Sequence, residues 1–290
     1  MSEAAGGFAV CPVCPHHCRI PEGKTGRCRG RGTREGRVVP LNYGIATSLA
    51  LDPIEKKPLR RFYPGSTILS YGSYGCNLNC PFCQNWEISM SDGHEFRGGT
   101  RGEENYVSPE ALADMAERLR PRGNIGAAFT YNEPLISYEY VLDTAKLLRE
   151  RRLKTVLVTN GCVSGEIAEA VLPAVDALNI DLKSIREDVY RDTLGGDLET
   201  VKRFIARAAE QCHVELTCLI VPGMNDKEEE MQAMAKWIRA LPGGEEIPLH
   251  ISRFFPRFRV LDRKPTDRAV VLRLAEIARQ ELKYVYPGNL

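Results

Sequence analysis

Three cysteines stand at C-x3-C-x2-C spacing in the run Gly75-Cys76-Asn77-Leu78-Asn79-Cys80-Pro81-Phe82-Cys83-Gln84-Asn85. Thiolates are soft ligands, and an iron–sulfur cubane takes one on each of its irons. Three cysteines therefore leave one iron open to a chelating ligand that is not part of the chain. A structural zinc site normally needs four protein ligands, and no fourth Cys or His lies nearby in the sequence. The spacing, with an aromatic residue before the last cysteine, points to a [4Fe–4S] cluster on Cys76, Cys80 and Cys83, the catalytic set.

A second constellation lies near the amino terminus. Cys11, Cys14, Cys18 and Cys28 form C-x2-C-x3-C-x9-C, with His16 and His17 inside it. A segment this short has too little apolar surface to fold alone, so a closed metal site is expected to organise it. Four thiolates suit either zinc or an auxiliary iron–sulfur cluster. Cys162, Cys212 and Cys218 are scattered, and they read as small buried hydrophobes.

The rest of the chain must position these groups. Its 290 residues, 43% hydrophobic and 27% charged, allow one substantial core with a small appendage. A net charge of +1 argues against nucleic-acid binding. The basic group Lys56, Lys57, Arg60 and Arg61 reads as solvated surface. No apolar run approaches bilayer length, and the start MSEAAGGFAV lacks the pattern of an export signal, so a cytoplasmic protein without a membrane span is expected. In that reducing setting the ten cysteines are not expected to pair as disulfides.

Strand-like segments recur at 67–74, 125–131, 154–160, 177–183, 213–221 and 247–254, with helical patterns between them. Ser108 with Pro109, Ser164, Asn225 or Asp226, and Thr266 are the expected helix starts. This alternation implies parallel βαβ units with ligands at the carboxyl ends of the strands. In Leu178-Asn179-Ile180-Asp181-Leu182-Lys183 one face is apolar and the other carries Asn179, Asp181 and Lys183; Glu215 and Thr217 repeat the pattern in the next strand. A sheet covered on both sides by apolar helices would not read so. An open barrel with a polar ligand in its lumen is the expectation. The expected divisions are a Cys-rich extension and lead-in at 1–65, the barrel at 66–260, and a carboxy-terminal helix and tail at 261–290.

On these residues the chain resembles the radical S-adenosylmethionine (SAM) superfamily, and within it the pyruvate formate-lyase activating enzymes. CPHHC at 14–18, DPIEKKPL at 52–59, CQNWEIS at 83–89, TYNEP at 130–134, VTNG at 158–161, IDLK at 180–183 and SRFFP at 252–256 are similar to the AmmeMemoRadiSam subgroup. The resemblance implies an α/β fold, a partial (β/α)6 radical SAM barrel with a small N-terminal Cys-rich metal-binding extension. It implies SAM as the ligand that chelates the open iron. It also assigns Phe82, Asn85, Tyr131, Asn132, Glu133, Thr159, Asn160, Asp181, Lys183 and Arg253 to the cofactor site. Two positions depart from the activases: Val158 stands where they have an aspartate before Thr-Asn-Gly, and Thr217 where they have an arginine.

The expected function is reductive cleavage of SAM to a 5′-deoxyadenosyl radical that abstracts hydrogen, the expected substrate being a residue of a partner protein. Modification of a small molecule is the alternative, and a non-enzymatic iron–sulfur carrier a more remote one. Expected partners are a flavodoxin or ferredoxin-type electron donor and, from the subgroup resemblance, Memo-like and AMMECR-like proteins. The Gly-rich, charged stretch Ser89–Tyr106 is a candidate lid.

Overall fold

The computed structural model describes residues 7–97 and 105–290. Two short antiparallel hairpins open it: β1 (Phe8–Val10) with β2 (Arg19–Pro21), and β3 (Arg31–Arg34) with β4 (Arg37–Pro40). They frame the Cys-rich turns. β5 (Ser48–Pro53) then runs antiparallel to β6 (Thr67–Gly72). From β6 onward every sheet pairing is parallel, through β7 (Asn124–Phe129), β8 (Lys154–Thr159), β9 (Ala177–Asp181), β10 (His213–Ile220), β11 (Leu249–Arg253) and β12 (Val285–Gly288). The order is β12-β11-β10-β9-β8-β7-β6-β5, so the sheet is open, with edges at β5 and β12.

The six strands expected from the sequence form, and crossover helices cover their outer face. The helices are α1 (Trp86–Ser89), α2 (His94–Arg97), α3 (Pro109–Arg118), α4 (Tyr138–Glu150), α5 (Gly165–Val171), α6 (Leu198–Gln211), α7 (Glu228–Arg239) and α8 (Arg268–Arg279). Leu178, Ile180, Leu216 and Ile220 face these helices, while their neighbours along each strand face the lumen. The sheet also includes β5 and β12, which lie outside the 66–260 span expected for the barrel.

Helix starts follow local hydrogen bonding. The hydroxyl of Ser108 accepts from the Ala111 N–H at 3.2 Å, as Ser-Pro-Glu predicts. Asn225 and Asp226 do not cap α7; its N-cap residue is Lys227. The Asn225 amide instead donates to the Lys183 carbonyl at 2.7 Å, and Asp226 accepts from Gly223 N–H. Asp267, not Thr266, caps α8; the Thr266 hydroxyl donates to the Ile220 carbonyl. Cys162 and Cys218 are buried as expected, whereas Cys212 is half-buried at the end of α6. The candidate lid is described only to Arg97 and from Asn105; the rest of it lies outside the described residues.

The polar lumen has an unexpected occupant. The segment after β5 crosses the concave side, where Ile54, Leu59 and Phe62 pack on Ile68, Ala128, Val156 and Ala177. Its Pro58 carbonyl accepts from the Asn179 amide at 2.9 Å, and Asn179 Oδ1 accepts from the Thr217 hydroxyl. Glu215, fully buried, accepts the N–H groups of Arg60 at 3.0 Å and Arg61 at 2.7 Å and lies 3.0 and 2.7 Å from ring nitrogens of His213 and His250. Asn179 and Glu215 thus bind the chain's own strap, not a ligand, and Thr217 holds Asn179 in place. Lys57 is likewise no solvated residue. It is 3% exposed and pairs with Asp52 at 2.9 Å.

Burial works to raise the Glu215 pKa, but His213, His250 and the two peptide N–H groups outweigh it and hold it at about 2, below the ordinary 4.5. A depressed carboxyl adds stability above its unfolded pKa and loses it as pH falls. Glu215→Gln is expected to lower stability by about 2–4 kcal/mol at neutral pH, because the amide keeps one acceptor oxygen but turns an NH2 donor toward the other strap N–H. The gap from wild type, measured by anaerobic urea unfolding, is expected to narrow as pH falls from 4.5 toward 2.

Candidate active site

β6 delivers the cysteine loop to the carboxyl end of the sheet, and the loop has no regular structure of its own. Its backbone groups are met from four directions. Asn132 accepts from Ser73 N–H at 3.0 Å and donates to the carbonyls of Tyr74 at 3.1 Å and Gly75 at 3.0 Å. Asn42 also donates to the Tyr74 carbonyl. Gly75 N–H donates to the Ile88 carbonyl at 2.9 Å, Cys76 N–H to the Cys28 carbonyl at 3.1 Å, and Asn79 N–H to the Leu194 carbonyl at 2.8 Å. On the far rim Arg259 N–H donates to the Pro81 carbonyl, and Trp86 stacks on Phe258 with ring centroids 5.2 Å apart.

Cys76, Cys80 and Cys83 interact electrostatically in every pairwise combination. Burial pushes Cys76 well above the ordinary thiol range, with Glu133 adding to the effect, and lifts Cys80 to about 11 against the pull of Lys183. Such thiols hold their protons until a metal takes their place. Three soft donors, Cys80 buried and Cys76 and Cys83 half-buried, fit a cubane cluster with one iron unligated, which agrees with the donor count read from the sequence.

A polar wall faces these sulfurs. Glu133, 2% exposed, accepts from the Thr159 hydroxyl at 2.7 Å, Asn160 N–H at 2.8 Å and Leu135 N–H at 3.0 Å. Burial outweighs these donors and raises its pKa to about 7. Asn160 extends its amide to Asn77 Oδ1 at 2.9 Å and to the Cys76 sulfur at 3.7 Å. Lys183 pairs with Asp181 at 2.9 Å. Burial opposes the Lys183 charge, but Asp181 and the Cys80 thiol hold its pKa above the ordinary ammonium range. Glu133, Thr159, Asn160, Asp181 and Lys183 therefore gather beside Cys76 and Cys80.

Other candidates act differently. The Tyr131 hydroxyl donates to Asp52 at 2.8 Å, with Lys57 4.5 Å from the ring centroid, so this side chain points down into the lumen. Its carbonyl accepts from the Asn85 amide at 2.7 Å. Asn132 is committed to holding the cysteine loop. Phe82 is buried beside the cluster cysteines, and Arg253 donates Nε–H to the Thr266 carbonyl at 2.6 Å. Sequence reasoning gave no role to Asn77 or to the Asp52–Lys57 pair, although all three stand in runs quoted above. Asn77 donates to the Cys162 carbonyl at 2.7 Å and its own carbonyl lies 2.9 Å from His16 Nε2.

The sequence profile of the radical SAM superfamily matches residues 70–238, more than half of the chain. The chain therefore belongs to the radical SAM superfamily and is an enzyme. It is 38% identical over 282 residues to an uncharacterised protein of Methanocaldococcus jannaschii, covering 97% of this chain and 81% of that one. It is 27% identical over 181 residues to a pyruvate formate-lyase-activating enzyme of Clostridium pasteurianum, covering 60% of this chain and 71% of that one. Among solved structures, SuiB of Streptococcus suis bound to S-adenosylmethionine superposes with a TM-score of 0.56 at 13% identity over 74% of this chain and 48% of that one, a likeness of fold. No helix among the described residues is long and apolar enough to cross a membrane.

Gly75 has φ of +87°, and a Cβ there would stand 2.6 Å from the Cys28 carbonyl. Gly75→Ala is expected to displace Cys76 and leave less than half of the wild-type iron and sulfide after anaerobic reconstitution, read by metal analysis and visible absorption.

Proposed function

We propose that this enzyme cleaves SAM reductively at a [4Fe–4S] cluster on Cys76, Cys80 and Cys83 and uses the 5′-deoxyadenosyl radical to abstract hydrogen from a residue of a partner protein. The observation that carries the reading is the gathering of two of the three cysteines, a buried carboxyl and a half-buried ion pair at the carboxyl ends of β6 to β9. Bound there, the cluster would supply the electron that breaks the sulfonium C–S bond. The chain's own residues bind and orient. Glu133 presents a carboxyl to the methionine ammonium of SAM, with Thr159 and Asn160 fixing its direction. Lys183, held by Asp181, offers a cation to an anionic group, and Phe82 with Asn85 walls the cluster side. Val158 and Thr217 leave the activases' charged positions neutral, and Thr217 is already committed to Asn179.

The homology to activating enzymes supports a protein substrate, and the motifs at 14–18 and 52–59 support the AmmeMemoRadiSam subgroup, with Memo-like and AMMECR-like proteins as candidate partners. We assign it to the cytoplasm, where a flavodoxin or ferredoxin would supply electrons. Tyr131 and Arg253 are placed here as supports of the strap and the rim, and Asn132 as the support of the cysteine loop. A second metal centre is assigned to Cys11, Cys14, Cys18 and Cys28.

After anaerobic reconstitution, wild type with SAM and dithionite is expected to form 5′-deoxyadenosine, and Cys80→Ala to lose at least a hundredfold of that rate. Undiminished cleavage by the variant would sink the reading. Deuterium transfer from a labelled partner protein into 5′-deoxyadenosine separates a protein substrate from a small molecule.

Affinity for SAM should rise with pH through about 7 as Glu133 ionises, since the carboxylate attracts the ammonium. Thr159→Val removes a donor to the ionised form and is expected to move that rise upward by roughly one pH unit, measured by anaerobic calorimetry.

A further inference from the structure

Two loops meet at the carboxyl end of the sheet although their strands are far apart in it. β6 and β11 are separated by β7, β8, β9 and β10. Even so, Arg259 N–H donates to the Pro81 carbonyl at 2.9 Å, and Phe258 stacks on Trp86 with 11° between the ring planes. Arg257 and Val260 exchange backbone hydrogen bonds of 3.2 and 3.1 Å, so the segment after β11 makes a tight turn, with Phe258 inside it at a φ of +54°. A bulky residue in the left-handed region is strained, and it persists only where its surroundings hold it. The turn is pinned against the cysteine loop.

What the turn presents outward is basic and apolar at once. Residues 255–264, FPRFRVLDRK, hold four Lys and Arg against one Asp, in a chain whose net charge is only +1. Arg257, Arg259, Arg263 and Lys264 are exposed. Arg259 lies over Phe258, 4.7 Å from the ring centroid, and Arg263 donates to the Pro222 carbonyl at 2.6 Å. Asp188 and Asp192, which share a cleft with Val260 and Arg263, are held by Arg186 and Arg191. The cations of the turn are left facing solvent. Large apolar groups stand among them: Leu261 is 69%, Phe255 46% and Trp86 39% exposed. Arginine and aromatic side chains around exposed apolar surface are the composition of a protein-binding patch.

The patch adjoins the cysteine loop where that loop comes to the surface. Cys83 is half-buried, and Gln84 and Trp86 after it are exposed. Val260 and Arg263 line one cleft with Pro81 and Phe82, the two residues between Cys80 and Cys83. Glu133 and Asn160 stand instead against Cys76. The cysteine set thus has the ligand wall on one side and a basic rim on another. A partner seated on the rim lies beside Cys83 and needs no access to the lumen, whereas a residue to be modified has to enter it.

We propose that the turn 255–264, together with Trp86, is the docking surface for an acidic protein that delivers single electrons to a cluster held by Cys76, Cys80 and Cys83. Charge complementarity draws the donor in, and Leu261, Phe255 and Trp86 seat it; an encounter of this kind is transient and needs little buried area. In each encounter the donor is oxidised by one electron and the cluster reduced by one, with no bond made or broken between the proteins. The proposal rests on the radical SAM reading for its electron acceptor and adds the face on which the donor sits.

The test titrates oxidised flavodoxin, an acidic electron carrier, into the anaerobically reconstituted enzyme by calorimetry. Arg257→Glu/Lys264→Glu and, separately, Leu261→Asp are expected to weaken its Kd at least tenfold. Raising the ionic strength from roughly 0.02 to 0.3 M should weaken wild-type binding and affect the charge-reversed variant much less. Arg34→Glu/Arg37→Glu, which reverses exposed charge on the amino-terminal hairpins instead, is expected to bind as wild type. With flavodoxin hydroquinone as reductant, 5′-deoxyadenosine formation should fall at least tenfold in both rim variants, while with excess dithionite it stays within twofold of wild type. An unchanged Kd in both rim variants, or an equal loss in the hairpin variant, overturns the proposal. Equal loss with both reductants overturns it as well and gives the rim to the substrate. Absence of 5′-deoxyadenosine from wild type with dithionite would instead fail the underlying radical SAM reading, while the flavodoxin titration still tests the surface.

Discussion

A loop that must present three thiols without helix or strand leaves its peptide groups to be hydrogen-bonded by the rest of the molecule. In residues 73–79 this is done mainly by asparagine side chains and by the Cys28 carbonyl. Asparagine suits the task because one planar group both donates and accepts at short reach. Asn132 is tied to the end of β7, Asn160 to the end of β8, and Asn42 to the segment before β5. The loop's shape is therefore set by sheet register. The same residues that fix the loop adjoin the carboxyl and amide groups facing the cysteines, which couples cluster position to ligand wall.

The open sheet has a lumen that would otherwise be wet. Its lower half is filled by the strap, and the buried charges there are matched internally: Lys57 with Asp52, and Glu215 with peptide N–H groups and two histidines. Unmatched, each would carry a large desolvation cost. Burial depresses Lys57 while the ion pair and the Tyr131 hydroxyl keep the Asp52 carboxyl well below its usual range despite its own desolvation. With the floor closed this way, Asp181 and Lys183 stand at the top beside Cys80. A low-dielectric chamber with a few fixed polar groups is suited to handling a reactive radical away from water.

The amino-terminal hairpins extend this arrangement. They contribute few large apolar residues, and most of their burial comes from cysteines, Val13 and Ile20 packed on Leu78, Ile136 and the loop after β8. Because Cys28 and His16 touch the catalytic loop directly, order in the two cysteine sets is shared. Arg31 ties the same module to the start of α4 through Glu139, a charge-assisted and largely buried contact.

The sequence alone determined the chemistry that depends on residue type and spacing. Cys76, Cys80 and Cys83 carry the spacing expected of an open-iron cluster, and period-two alternation in 177–183 and 213–221 separates lumen from helix face. Ser108-Pro109 starts its helix where local capping says it should. Tertiary structure decided which polar residue serves which purpose. Alternation marks Asn179, Asp181, Glu215 and Thr217 as inward-facing alike, but only the path of a strap some 120 residues earlier separates those bound to the chain from those beside the cluster. Asn225 and Thr266 look like caps and are drawn instead to the carbonyls of Lys183 and Ile220, since an unsatisfied buried carbonyl costs more than a helix start with water to spare. The contact between Cys28 and Cys76 joins residues 48 positions apart through backbone atoms that every residue has, so no side-chain pattern could have revealed it.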